Sequence, residues 1–173
     1  MDDFKPGWRF ACANVTGKDD WELCMNLAHG YLQSACAAME HINDSDTPEH
    51  GGIYTLLPTI HNLQHGLELF FKGGLLFHSE NPPNSHDLYD LSAQYNREAK
   101  SETKFEPDLI EKVSGVDDAA SGNVRDYTYG TAVRYLRNRN GKRVVPGLSI
   151  PEHELRTTVD QCRKKCVEIH IAF

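Results

Sequence analysis

Apolar residues in this chain recur at steps of three and four over stretches too long for strands. From Cys24 they run through Leu27, Ala28, Tyr31, Leu32, Ala35, Met39 and Ile42, and Asp19 and Asp20 offer an N-cap and an acidic first turn. This pattern predicts an amphipathic helix to about Asn43. The Asp44–Pro48 run and Gly51–Gly52 break it. A second pattern, Leu56, Leu57, Ile60, Leu63, Leu67, Phe70, Phe71 and Leu75, predicts a central helix ending near His78, with Pro58 tolerated in its first turn. Asn81–Asn84 reads as a turn. Ser85 is expected to cap a short helix that turns Leu88, Leu91 and Tyr95 inward. Pro107 can open a helix to about Val113, and Val124 to about Arg139 reads as another, with Tyr127, Ala132, Val133 and Leu136 inside. Ser149–Glu152 resembles a capping box before Leu155, Val159, Cys162, Cys166 and Ile169. No period-2 strand or internal repeat stands out, so the expected fold is an all-α bundle of four to five main helices over 19–173. An irregular segment, 1–18, precedes it. Its core should join Leu27, Tyr31, Leu63, Phe70, Leu88 and Val159.

A chain of 173 residues suits one domain. Its 39% apolar and 25% charged residues exclude bulk disorder. The most apolar stretch, Gly66–Phe77, carries Glu68 and Lys72 and is shorter than the roughly 20 residues of a membrane span. The acidic opening Met1–Pro6 lacks a signal-peptide layout, so a cytoplasmic protein without membrane contact is expected. Five cysteines with no CxxC spacing point to reduced, mostly buried thiols. Charge is uneven: residues 1–123 hold 8 Lys and Arg against 20 Asp and Glu, and residues 124–173 hold 10 against 5. Arg134, Arg137, Arg139, Lys142 and Arg143 concentrate the basic character and are candidates for RNA or phosphate contact. A solvated face pairing with the acidic half explains them equally well.

Three helical groups, His61, His65 and Glu68, are spaced so that they could approach one metal. The Glu that a metalloprotease carries beside its first His is missing, and a polar stripe of the bundle is the better reading. No metal or cofactor is expected. The Walker loop, the GxSxG elbow and the dinucleotide fingerprint are missing too.

His65–Leu76, a Pro-containing turn, and then Ser85-His86-Asp87-Leu88-Tyr89-Asp90-Leu91 resemble the HEPN family of helical, nucleotide-binding domains. The family pattern is an apolar helix carrying a Glu and, four residues on, a Lys beside small residues, followed by a His-Asp-Leu element at the next helix. Glu68, Lys72, Gly73, His86, Asp87 and Leu88 occupy those places. Val133-Arg134-Tyr135 and the capped terminal helix look like the family's second half, so the likeness spans roughly 20–170. Taken alone, Glu68 and Lys72 form a favourable i,i+4 pair, and His86 and Asp87 read as a helix start.

The resemblance implies a homodimer that binds RNA or a nucleotide. It admits a metal-independent endoribonuclease of a defence or toxin-antitoxin system. The alternative is a non-catalytic interaction module that pairs with a nucleotidyltransferase or another protein. Gly73–Gly74 would permit close approach of a helix or subunit. Family nucleases use an Arg and a His with four to six residues between them on one helix. A His can shuttle protons near neutral pH while an Arg binds phosphate charge bidentately. Arg163 and His170, with six residues between them, are the candidate catalytic pair. Lys164 stands where the family usually has a small polar residue.

Overall fold

The computed structural model describes residues 19–44, 51–113 and 152–173. Helix α1 is Asp20–Asp44, α2 is Gly51–Phe77 and α3 is Leu88–Glu98. A 3-10 turn at Ser101–Thr103 leads to α4, helical over 107–113, and α5 is Glu152–Ile171. No strand occurs among the described residues, and the architecture is all-α. The predicted 124–139 helix, the 1–18 segment and the basic residues Arg134 to Arg143 lie outside the described residues.

Helices α1 and α2 pack antiparallel along much of their length. A Cβ on Gly66 would stand 2.9 Å from Leu32 Cγ, and one on Gly73 would stand 3.0 Å from the Trp21 carbonyl oxygen. A Cβ on Gly74 would come within 2.5 Å of the Tyr95 ring. These glycines serve contacts within the chain: Gly73 admits α1 and Gly74 admits α3. The reason they offered for a subunit interface is thereby used up.

On α1 the buried face is Met25, Ala28, Leu32, Ala35 and Met39. At about 100° per residue, Leu27 lies about 120° from the centre of that stripe and Tyr31 about 80°. Leu27 is accordingly 47% exposed, correcting its expected core place, and Tyr31 is half-buried. The other expected core residues, Leu63, Phe70, Leu88 and Val159, are buried. Phe70, Phe71, Tyr95 and Phe105 form a mutually packed aromatic cluster between α2 and α3. Tyr95 Oη donates to the Thr103 carbonyl at 2.8 Å, and Asn96 exchanges two hydrogen bonds with the Phe105 backbone. These bonds fold the connection after α3 back onto it. On α5 the inward set Leu155, Val159, Cys162, Cys166 and Ile169 is buried as its spacing predicted. The four described cysteines are free thiols.

Three boundaries differ from expectation. Helix α2 starts at Gly51, so Pro58 lies in its interior rather than in its first turn. Because proline lacks an N–H, one helical bond is missing there. Asp87, not Ser85, caps α3: its Oδ1 accepts from Tyr89 N at 2.8 Å and Asp90 N at 3.3 Å. Ser85 Oγ accepts from Asp87 N one step earlier. A carboxylate is the stronger cap at the positive end of a helix, which favours Asp87. Helix α2 ends in a Schellman arrangement, with Glu80 N to Leu75 O and Ser79 N to Leu76 O both at 2.9 Å, and Ser79 takes φ 63.

Gly74→Ala should destabilise the fold by roughly 1–3 kcal/mol, because the added methyl must displace the buried Tyr95 ring. Ser79→Gly should stabilise it by about 0.5–1 kcal/mol by relieving the left-handed backbone. Urea denaturation of the two variants beside the parent checks both signs.

Candidate functional site

Two polar clusters stand out. The first is built on Glu68 of α2, whose side chain is only 9% exposed. Its Oε1 accepts from Lys72 Nζ and from His86 Nδ1, both at 2.8 Å, and its Oε2 lies 3.6 Å from His65 Nδ1. The i,i+4 spacing brings Lys72 over Glu68. The Asp87 cap fixes the start of α3 and so delivers His86 from the preceding loop. Tyr31 meets the His65 ring edge-on at 4.6 Å, and His61 lies parallel to His65 at 5.8 Å. Burial raises the Glu68 pKa, but the hydrogen bonds from Lys72 and His86, the nearby His65 ring and the Lys72 charge outweigh it and pull the carboxyl down to about 2.

Glu68, Lys72 and His86, three of the residues that carry the family resemblance, thus meet at one point, and Asp87 adjoins them as the cap. Chemically the cluster is a tether: an ionised, nearly buried carboxylate joins α2 to the residue before the α3 cap. His86 keeps its side chain 62% exposed. Among the described residues no group of three His, Cys, Asp or Glu side chains is arranged to hold a cation, and the Lys72 ammonium already occupies the carboxylate.

The second cluster lies on the flank where α5 runs antiparallel to α1. Arg156 Nη2 donates to the Met39 carbonyl at 2.6 Å. Two helical turns further on, the Arg163 guanidinium reaches Asp160 Oδ1 at 3.3 Å. Burial pushes the Cys36 thiol up, and Arg163 opposes that rise. At the end of α5, His170 Nδ1 lies 2.7 Å from His29 Nε2, with Trp21 edge-on to the His170 ring at 6.3 Å. Phe173 stacks on Phe77 at 4.2 Å, and Trp21 meets Phe77 and Phe173 edge-on, which seats the last turn of α5. His29 is pushed down first by burial and then by His170.

The sequence placed Arg163 and His170 on one helix face, and they do share a flank of α5. Seven residues of helix keep them about 10 Å apart along the axis. Each has its own partner, Asp160 for Arg163 and His29 for His170. Lys164 and Lys165 are engaged with Asp160 and Glu106. His29 was not singled out in the sequence, because no local pattern links it to a residue 141 positions away. Comparison of the chain with protein-family models, curated proteins and solved structures finds no match in any of the three.

Glu68→Gln should cost about 3 kcal/mol at pH 7, the worth of a carboxylate held roughly two and a half pKa units low. A depressed carboxyl stabilises the fold above its unfolded pKa of 4.5, and the contribution fades as pH falls through about 2. The gap between parent and variant, followed by thermal unfolding, should therefore be full above pH 4.5 and close toward pH 2.

Proposed function

We propose that the chain is a HEPN-like helical protein that binds RNA or a nucleotide, with the α1–α5 flank as the place where RNA is cut without a metal. The observation that carries this reading is the meeting of two imidazoles, His29 and His170, on the flank that also holds Arg163. RNA cleavage by its own 2′-hydroxyl needs a group that takes a proton near neutral pH and a cation that gathers phosphate charge. Histidine and arginine are suited to those two tasks. The Arg163–Asp160 pair is 3.3 Å long, with side chains 39% and 42% exposed. Such a surface pair is worth about 1 kcal/mol or less, so an incoming phosphate can displace Asp160. Arg134, Arg137, Arg139, Lys142 and Arg143 would add phosphate contacts along the strand. Homodimerisation remains part of the proposal through the family's paired sites.

A second reading is favoured by one observation: Arg163 and His170 are separately engaged. In that reading the chain is a non-catalytic interaction module pairing with a nucleotidyltransferase or another protein of a defence or toxin-antitoxin system.

RNA affinity should fall steeply with salt and drop when Arg137, Arg139 and Arg143 are changed together to Ala. In the presence of chelator, the parent should leave 2′,3′-cyclic phosphate ends. Arg163→Ala and His170→Ala should each lower cleavage by about 10²–10⁴-fold with the helical spectrum intact. Binding that is unaffected by the triple variant, together with no cleavage of any RNA, would leave the interaction module as the better account.

A further inference from the structure

Two imidazoles facing each other at 2.7 Å can lie face to face or edge to edge. For His29 and His170 the ring planes differ by 9° and the centroids are 4.9 Å apart. A separation of about 5 Å is what the ring radii add to a hydrogen bond of this length when the rings share one plane. The contact is therefore an N–H···N hydrogen bond between coplanar rings, and it needs one proton between the two nitrogens. Either His29 donates and His170 presents Nε2–H, or His170 donates from Nδ1 and its Nε2 is left bare.

Only the second arrangement leaves His170 with a bare nitrogen that can take a proton from a 2′-hydroxyl, which is what the cleavage reading above requires of it. Among the described residues it is Nδ1 of His170, not Nε2, that has a hydrogen-bond partner.

We propose that His29 is a positioning residue: its Nε2 accepts the Nδ1–H of His170, fixes that tautomer, and leaves Nε2 of His170 as the nitrogen that exchanges a proton with bound RNA. The functional half of this proposal rests on the cleavage reading above. In the step it supports, the 2′-hydroxyl proton passes to Nε2 of His170 while the 2′-oxygen forms a bond to phosphorus. The bond from phosphorus to the 5′-oxygen breaks, and that oxygen takes a proton from water. The His170 imidazolium then returns its proton to solvent.

The test is the nitrogen-15 side-chain spectrum of His170 in the full chain at about pH 8, where histidines are neutral. The parent should show a protonated Nδ1 and a bare Nε2. His29→Gln, whose amide oxygen can stand near the lost Nε2, should keep that tautomer, and His29→Phe should lose it. In chelator-containing RNA cleavage, His29→Phe should lower kcat at least about tenfold with little change in KM, and His29→Gln should restore most of the rate. A bare Nδ1 on His170 in the parent overturns the proposal, whether or not the Phe variant folds. The same holds for a tautomer that survives in a folded His29→Phe. The expected tautomers without cleavage of any RNA would support the pairing and overturn the cleavage reading alone.

Discussion

Close approach of α1 to α2 is the constraint on which the other contacts rest. At Gly66 and Gly73 the helices come so near that a single methyl would meet Leu32 or the Trp21 backbone. That approach lays Met25, Ala28 and Leu32 against the apolar side of α2. It also sets the height of α1 along α2, and so the position of Trp21 beside Phe77. Phe173 completes that aromatic contact, and the last turn of α5 is fixed by it. The pairing of His170 with His29 follows from this register.

Glu68 performs a comparable task on the other side of α2. Removing a carboxylate from water is costly unless cations and N–H donors replace the lost solvation. Lys72, His86 and the longer His65 contact supply them, and because His86 precedes the α3 cap, satisfying the charge also fixes where α3 begins. Gly74 lets the Tyr95 ring of α3 lie against α2, so electrostatic and steric demands agree on one position for that helix.

Helical periodicity made α1, the main span of α2, α3 and α5 legible, because a stripe that must be buried leaves a 3.6-residue signature. It was less able to locate the centre of each stripe. Cys24, Leu27, Ala28 and Tyr31 define a broad arc, and only the packing against α2 shows that Met25 belongs inside and Leu27 outside. The α3 cap was misplaced by two residues because Ser85 and Asp87 are both good caps, and the bonds from Tyr89 N and Asp90 N decide between them. Glu68, Lys72 and His86 are readable as a pattern in the sequence, but their shared hydrogen bonds are not. His29 was invisible: a histidine inside an amphipathic helix carries no sign of a partner at the far end of the chain.

The α1–α5 flank is the centre of the functional account. A direct measurement is the amide and side-chain chemical-shift map of the labelled protein titrated with a short oligoribonucleotide carrying a 2′-deoxy residue at each position in turn, so that its own hydroxyl cannot attack there. The account predicts that, within the described helices, the largest changes fall on His29, Cys36, Arg163 and His170. A bound oligonucleotide that leaves those four residues unshifted, with its changes confined to the Glu68–His86 side of α2, would contradict it.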